Sequence, residues 1–321
     1  MRDKCDGICD VEERIKCYKE WIQRYSNMVV VLFTLRHEFK ERNFKAQIEP
    51  RIDVGKPDLL VIDKENREGA AIDHKIIMAT RREHISKELE KVMKYIKDNV
   101  KVVVSRNQDP LEISIKDAAV IGPSKILDDV IENLGYEHTP VPVITYNIKE
   151  AEIELINKTK EIHTFNSTPM KNFFPRGTGR RKLTLPNEAY SYKFILEEPP
   201  LSYLLFQVYN VMLGIRTNYI EKEIVITYRA VKDHISKIFP KIFTTGGQEA
   251  EQLNESRLQR AWKKLKELQV IEDIGGGRMK VKQPQGSPLD YILRKLAKHE
   301  ISEDRKCIQP SGLGLLKWMK Q

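Results

Sequence analysis

The sequence predicts an α/β domain, in which a mixed sheet is flanked by helices, followed by a smaller and mainly helical domain. Two patterns carry this prediction. Over residues 1–165, short apolar segments alternate with amphipathic segments of helical period, which is typical of strands and helices in one layered domain. From about residue 199, three helical segments precede two short strand-like segments around a glycine-rich turn. With 321 residues, the chain is long enough for two domains.

The first domain is predicted to open with a helix and a three-stranded antiparallel meander. Apolar residues recur at helical spacing over 11–42, with a break expected at the Tyr-Ser-Asn of 25–27. Three short strands are predicted next, joined by a Pro- and Gly-containing connection and by a polar turn, at 44–49, 58–63 and 69–77.

The remainder of the first domain is predicted to alternate between helices and strands. A charged helix is expected over 81–98, with an apolar face formed by Ile85, Leu89, Val92 and Ile96. The near-continuous apolar run at 100–107 is typical of a strand that is buried on both faces. The segment "DAAVIG" then leads into a helix over 123–135, and another strand is expected at 141–147.

The periodicity disappears over 166–198, where Pro, Gly and polar residues are frequent. We therefore expect a linker or a loop-rich connection there. This segment contains a basic cluster, "RGTGRRK" at 176–182, which is either a solvated loop or a contact for a nucleic-acid backbone.

The segment 199–286 is predicted to form a winged helix-turn-helix, because three helices are followed by a β-hairpin. The helices are expected at 201–216, 227–239 and 254–271. Thr227 is the expected N-cap of the second helix, and Asn254 or Ser256 that of the third. A tail with one further helix is predicted over 287–321.

The third helix of this domain has the composition of a DNA-recognition helix. Its buried face is predicted to consist of Leu258, Ala261, Leu265 and Leu268. The basic residues lie off that face, and the hairpin adds two more, so that the candidate DNA contacts are Arg257, Arg260, Lys263, Lys264, Arg278 and Lys280. The alternative is a winged helix that binds another protein and whose basic residues are solvated.

Charge and hydropathy favour a DNA partner and no membrane. The net charge is +9 and the pI is about 9.1, which favours a polyanionic partner. No apolar stretch approaches the roughly eighteen residues that a membrane span needs, and the N-terminus lacks the apolar segment of a signal peptide. These features predict a cytoplasmic protein.

The cysteines predict no disulfide framework. Cys5, Cys9 and Cys17 lie near the N-terminus and Cys307 near the C-terminus. Because a cytoplasmic chain with so few cysteines has little use for disulfides, we expect reduced thiols. A metal or iron–sulfur site shared between the two ends of the chain is the alternative, although no close Cys-x2-Cys pair is present.

The stretch "PDLLVIDKENREGAAIDHK" at 57–75 contains the candidate catalytic residues. Asp58 begins one predicted strand, while Asp73 and Lys75 end the next and project to one face, since residues two apart on a strand do so. Pairing of the two strands brings the three side chains together. Two adjacent carboxylates favour a hard cation such as Mg²⁺ or Mn²⁺, and a nearby lysine can position water, which is the set that phosphodiester hydrolysis needs.

Here the sequence resembles the PD-(D/E)xK nuclease superfamily. Pro57-Asp58 is followed after fourteen residues by Asp73-His74-Lys75, within a helix, meander, helix and strand order that covers about residues 1–150. The resemblance implies a restriction-endonuclease-like fold in which Asp58 and Asp73 bind the metal and Lys75 orients the attacking water. His74, between them, is expected to face away.

Members of that superfamily usually have a further acidic residue in the site. The candidates for it here are Glu49, Glu38 and Glu20, and His37 could take its place as a histidine. Glu49 is attractive because it ends the first strand. RecB-type members also carry Gln-x3-Tyr in the next helix. This chain has Tyr95 but Lys91 at the Gln position, so it departs from that subgroup.

The combined prediction is a metal-dependent DNA endonuclease whose winged helix positions the DNA. The alternative is a non-catalytic DNA-binding regulator or replication protein with an inactive nuclease-like domain. An RNA-directed nuclease shares the metal chemistry, but no RNP-type aromatic motif supports it. Many superfamily members act as dimers because two strands need two active sites, which leaves a homodimer open.

Overall fold

A computed structural model describes most of the chain, namely residues 5–50, 52–75, 82–103, 109–175, 179–186, 199–215, 224–238, 248–304 and 307. The chain divides into two compact units. One unit comprises Ser26–Tyr192, and the other joins Met1–Tyr25 to Lys193–Gln321. The first unit therefore begins later and ends later than the domain predicted over 1–165.

The Ser26–Tyr192 unit is built on an eight-stranded mixed sheet, in agreement with the predicted α/β class. Its strands are β1 (Lys45–Ile48), β2 (Leu59–Asp63), β3 (Glu68–His74), β4 (Lys97–Val102), β5 (Leu111–Pro123), β6 (Val143–Lys149), β7 (Glu152–Asn157) and β8 (Arg180–Thr184). The order is β1-β2-β3-β5-β6-β7-β8, and β4 pairs with β5. β5 runs parallel to β3 and β6, whereas the other pairs are antiparallel. The predicted three-stranded meander is thus confirmed in β1–β3.

The helices of the first part of the chain are α1 (Val11–Glu41), α2 (Arg82–Met93), α3 (Ser124–Leu134) and α4 (Thr168–Phe173), with a 3-10 turn at Tyr136–His138. The break predicted in α1 at 25–27 is wrong, because the helix is continuous there. Tyr25 and Met28 are both buried, so the buried face of α1 continues through the weak helix formers Ser26 and Asn27.

Helices α2 and α3 cover one face of the sheet. Ile85, Leu89 and Val92 of α2 pack in one apolar cluster with residues of β5 and α3. The fourth residue of the predicted face, Ile96, is 48% exposed because α2 ends at Met93 and Ile96 lies in the turn before β4. Its assignment to the buried face was wrong.

Among the described strands, β5 is buried on both faces; of the apolar run predicted at 100–107, residues 104–107 lie outside the described ranges. Within β4, only Val100 and Val102 are buried, because this short strand pairs with β5 alone. In β5 the residues from Asp117 to Gly122 are all buried, since this strand lies between β3 on one side and β4 and β6 on the other. The predicted order of elements is retained, but the central strand is the segment that contains "DAAVIG".

The segment 166–198 differs from the predicted loop-rich connection, since it contributes α4 and β8 to the sheet unit. The Asp117 carboxylate accepts the backbone N–H groups of Asn166 and Ser167, and Glu68 accepts that of Thr168. These buried carboxylates fix the start of α4. A six-residue helix is too short to produce a visible sequence period, which is why the pattern missed it.

In the basic cluster predicted at 176–182, only some of the described side chains are free to contact a partner. Arg181 stacks over the Phe173 ring at 4.6 Å and donates to its carbonyl. Lys182 lies 3.7 Å from Glu152, and Arg180 is exposed. Arg176 lies outside the described residues. The cluster therefore also has a packing role, through Arg181.

The second unit contains four described helices and a three-stranded antiparallel sheet. The helices beyond α1 are α5 (Leu201–Gly214), α6 (Tyr228–Ile238), α7 (Gln248–Glu267) and α8 (Pro288–Glu303), and the strands are β9 (Ile224–Thr227), β10 (Ile271–Asp273) and β11 (Arg278–Val281). The sheet order is β10-β11-β9. The predicted helices and the hairpin are present, and β9 was not predicted.

Helix capping in this unit was predicted with mixed success. The Thr227 hydroxyl accepts the backbone N–H of Ala230 at 3.2 Å, which confirms Thr227 as the cap of α6. Asn254 and Ser256 cannot cap α7, because that helix already begins at Gln248. The helix predicted in the tail is α8, which Ser287 caps through the N–H of Asp290.

The cysteines form two disulfides, Cys5–Cys17 and Cys9–Cys307, so the prediction of reduced thiols is wrong. Sequence spacing could not show that the segment before α1 lies beside the end of α8. The buried Arg14 links the same two regions through an ion pair of 3.0 Å with Asp304. None of the helices in the described ranges combines the length and apolar character that crossing a bilayer requires.

Candidate active site

Asp58 and Asp73 lie together at one end of the β2–β3 pair, as the strand pattern predicted. Leu59 pairs with Ile72, which places Asp58 opposite Asp73 at the next position of the register. The backbone N–H of His74 donates to Asp58 Oδ2 at 2.6 Å. The pairing of two strands thus brings together carboxylates that are separated by a polar turn in the sequence.

The Asp58 carboxylate is buried beside other negative charges. Burial, followed by the negative charge of Asp73, raises the pKa of Asp58 to about 7. Glu49 acts in the same direction, whereas the His74 N–H and Lys75 lower the pKa without cancelling the rise. A cation between these carboxylates would remove the repulsion that raises this pKa.

Lys75 is fixed beside the carboxylates by β5. Its Nζ lies 3.1 Å from Asp73 Oδ2, and its backbone N–H donates to the carbonyl of Ile121 at 2.8 Å. A Cβ atom at Gly122 would lie 2.6 Å from the Lys75 carbonyl oxygen, so only glycine permits this close approach. The main chain therefore holds the lysine at the end of β3.

Glu49 is the further acidic candidate that the structure places next to Asp58. Its backbone N–H donates to the Asp58 carbonyl at 2.9 Å, and its φ of 49° lies in the left-handed region that favours glycine. Its Oε1 is 3.4 Å from Nζ of Lys56. Sequence reasoning missed Lys56, although its position directly before Pro57-Asp58 could have drawn attention to it.

The other three candidates for this acid have different surroundings. Glu38 pairs with Arg42 on α1 at 2.8 Å, and His37 is exposed on the same helix. Glu20 is paired with Arg24 at 3.9 Å and belongs to the other unit. Among the four, the contact with the Asp58 main chain therefore favours Glu49.

His74 faces away from the carboxylates, as the strand alternation predicted. Its ring is buried, and its Nε2 lies 3.1 Å from the Tyr146 hydroxyl. Burial, together with the nearby Lys75 charge, lowers the pKa of His74 to about 3. The imidazole is therefore neutral and belongs to the packing of the opposite face.

Tyr95 contributes a hydroxyl to the cluster. It lies in the turn after α2, near the Asp73 carboxylate. Burial, followed by the negative charge of Asp73, raises its pKa, so the phenol remains protonated.

The donor set fits a hard divalent cation. Carboxylate oxygens are the ligands that Mg²⁺ and Mn²⁺ prefer, and Asp58, Asp73 and Glu49 provide them. Across the described ranges, no three or more His, Cys, Asp or Glu side chains form a ready-made metal-binding group. Burial is the first cause of the raised Asp58 pKa and the charge of Asp73 the second, and a cation bound between the two carboxylates would offset the second cause.

The predicted recognition helix, α7, has the expected buried face. Leu258, Ala261, Leu265 and Leu268 are all buried. Among its basic residues, Arg260 and Lys263 are exposed, Arg257 is half-buried, and Lys264 is half-buried in an ion pair of 3.1 Å with Glu267. Arg260 and Lys263 are therefore the candidates on this helix with the most accessible charge.

The hairpin of β10 and β11 carries less uncompensated charge than the sequence predicted. Arg278 is exposed at the start of β11. Lys280 is half-buried and pairs in register with Glu272, and Nζ of Lys282 lies 2.5 Å from Oε1 of the same glutamate. Arg278 is the most accessible basic side chain of this hairpin.

No protein-family model matches the chain, and neither the curated proteins nor the solved structures include a match.

Proposed function

We propose that this chain is a metal-dependent DNA endonuclease. The observation that carries the proposal is the cluster of Asp58, Asp73 and Lys75 at the paired ends of β2 and β3, in which the pKa of Asp58 is raised to about 7. Perturbed carboxylates beside a lysine are typical of functional sites. The order of helix, antiparallel meander and helix, followed after the short strand β4 by β5 parallel to β3, supports the resemblance to the PD-(D/E)xK superfamily.

In the proposed mechanism, Asp58 and Asp73 would hold Mg²⁺ or Mn²⁺, with Glu49 as the neighbouring acid. The bound metal supplies Lewis-acid stabilisation of charge on a phosphoryl oxygen. Lys75, which is held against Asp73, orients the attacking water and offsets negative charge that develops on the phosphate.

The second unit is proposed to bind DNA as a winged helix. This is supported by its order of helix, strand, two helices and two strands, with all three strands in one antiparallel sheet. In that arrangement α7 is the recognition helix, from which Arg260 and Lys263 reach the DNA, while Arg278 contacts phosphates from the hairpin. A homodimer remains a prediction from the resemblance.

The test is cleavage of plasmid, linear, single-stranded and branched DNA with Mg²⁺ or Mn²⁺. Wild type is compared with Asp73→Ala and Lys75→Ala, and with Lys101→Ala as a control for an exposed lysine of the same unit. Each site substitution should lower the cleavage rate by about 10²–10³-fold or more, whereas the control should cleave like wild type.

One observation favours a second candidate, a DNA-binding protein whose nuclease-like unit is inactive. Asp73 and Glu49 each have a lysine partner, Lys75 and Lys56, as in a structural ion-pair cluster. That reading predicts DNA binding by wild type but no cleavage of any of the four substrates with either metal.

A further inference from the structure

We propose that Lys56 is a DNA-binding residue of the candidate active site. In the metal-free protein its ammonium group pairs with Glu49, and when a divalent cation occupies the acidic cluster it binds a backbone phosphate of the DNA instead. This inference rests on the proposed function, because it needs both a cation at the carboxylates and DNA at the site.

The main chain holds Lys56 next to Glu49. Directly before Lys56, Ile52 and Gly55 close a tight turn, since each donates its N–H to the carbonyl of the other at 3.0 Å. The N–H of Glu49 donates to the Asp58 carbonyl at 2.9 Å and closes the longer loop between the two acids. Two sets of backbone contacts thus fix the segment that contains Lys56, at the edge of the acidic cluster.

The two ammonium groups of the site are more accessible than the carboxylates with which they pair. The side chain of Lys56 is 24% exposed, against 15% for that of Glu49. The side chain of Lys75 is 25% exposed, against 13% for that of Asp73. A phosphate that approaches the cluster from solvent can therefore contact either ammonium group, although the carboxylates beside them are largely buried.

The charge of the cluster explains why such a contact would depend on the metal. The cluster consists of three carboxylates and two ammonium groups, those of Glu49, Asp58, Asp73, Lys56 and Lys75. Above pH 7, where Asp58 is ionised, the carboxylates outnumber the ammonium groups by one, so the metal-free cluster repels a phosphate. A bound divalent cation reverses this sign and replaces Lys56 as the counter-charge of Glu49.

The pair between Lys56 and Glu49 is weak enough to exchange. Its nitrogen–oxygen distance is 3.4 Å, against 3.1 Å between Lys75 and Asp73, and it exceeds the roughly 3.2 Å of a normal hydrogen bond. Partly exposed ion pairs contribute little free energy, whereas a contact with a DNA phosphate also releases condensed counterions. Lys56 is therefore better suited than Lys75 to move from a carboxylate to the DNA.

The test compares Lys56→Met, which removes the charge, with Lys56→Arg, which keeps it. The matched control is Lys64→Met, at an exposed lysine directly after β2, whereas Lys56 lies before that strand. Each full-length protein is titrated at pH 8.5 into a DNA duplex with phosphorothioate linkages, which keep the phosphate charge and resist hydrolysis. Fluorescence anisotropy gives the slope of log affinity against log monovalent salt, with and without Mn²⁺. Calorimetry gives the Mn²⁺ dissociation constant, and the melting temperature checks folding.

With Mn²⁺, Lys56→Met should reduce the salt slope by about 1, because one phosphate contact is lost, and Lys56→Arg should keep the wild-type slope. Without Mn²⁺, Lys56→Met should have the wild-type slope, because Lys56 is then paired with Glu49. Lys64→Met should show no change that depends on Mn²⁺. Lys56→Met should also bind Mn²⁺ more tightly, by up to about fivefold, since Glu49 no longer has to release an ammonium group.

A wild-type slope for Lys56→Met with Mn²⁺ would overturn the inference, and it is the result that a purely structural ion pair predicts. An equal loss of slope with and without Mn²⁺ would overturn it too, as would a wild type that binds no Mn²⁺. A loss that requires Mn²⁺ would support the inference even if wild type cleaves no unmodified DNA, in which case only the nuclease proposal fails. Conversely, a cleaving wild type with an unchanged slope in Lys56→Met would refute the role of Lys56 alone.

Discussion

The burial of Asp58, together with the negative charge of Asp73 beside it, predicts a protein that becomes more stable when its proposed active site is disabled. Asp58→Asn removes the charge and keeps an oxygen that can accept the His74 N–H. In the folded wild type the Asp58 pKa is about 7, against a usual 3.8, so the folded state binds more protons than the unfolded state between these values. The stability of wild type therefore falls as the pH rises through this window.

The difference between 3.8 and about 7 corresponds to at most about 4 kcal/mol of lost stability above pH 7, at about 1.4 kcal/mol for each tenfold change. The asparagine variant lacks this loss. Between pH 4.5 and 8.5, its stability advantage over wild type should grow by about 3 kcal/mol. Most of the growth should come below pH 7, because above the folded pKa both states of wild type have released the proton.

Native-state hydrogen exchange of the β2 and β3 amides is the suitable assay, since it reports the free energy of opening for this unit alone. Comparison of the two proteins at the same pH cancels the intrinsic exchange rate. Addition of Mn²⁺ at pH 8.5 should then protect wild type more than the variant. A stability difference that does not change with pH would refute the account of Asp58 as a carboxylate crowded by other acids.

Three further predictions concern the rest of the molecule. Arg260→Ala and Lys263→Ala should each weaken DNA binding and reduce the slope of log affinity against log salt by about 1, as measured by fluorescence anisotropy; an unchanged slope would argue against α7 as the DNA contact. Reduction with dithiothreitol should lower the melting temperature, because the Cys5–Cys17 disulfide alone removes about 3 kcal/mol of chain entropy from the unfolded state. A thiol titration of the unreduced, denatured protein should find no free thiols. Glu49→Gln should weaken Mn²⁺ binding in calorimetry and stabilise the metal-free protein at pH 8.5, since one repulsive charge is removed; wild-type values in both would exclude Glu49 from the site.

Local patterns predicted the site better than they predicted its surroundings. Asp58, Asp73 and Lys75 could be placed together because strand alternation and hairpin pairing depend only on neighbouring residues. The opposite orientation of His74 followed from the same alternation, and its contact with Tyr146 confirms it.

The predictions that failed concern contacts between residues far apart in sequence. The start of α4 depends on Asp117 and Glu68, carboxylates 50 and 100 residues away in sequence, and no local period predicts it. The Cys9–Cys307 disulfide joins residues separated by 298 positions. The continuity of α1 through 25–27 likewise reflects burial rather than the helix propensity of Ser26 and Asn27.

The most direct test of the central claim is single-turnover cleavage of end-labelled duplex DNA by wild type and Asp58→Asn, at equal and saturating protein with Mn²⁺. Asp58→Asn is the suitable variant because it is expected to be at least as stable as wild type, so that lost activity cannot be ascribed to unfolding. The account predicts that wild type cleaves the DNA and that the variant binds it equally well but cleaves it at least about 10²-fold more slowly. Cleavage by both proteins at the same rate would contradict the assignment of this carboxylate cluster as the active site.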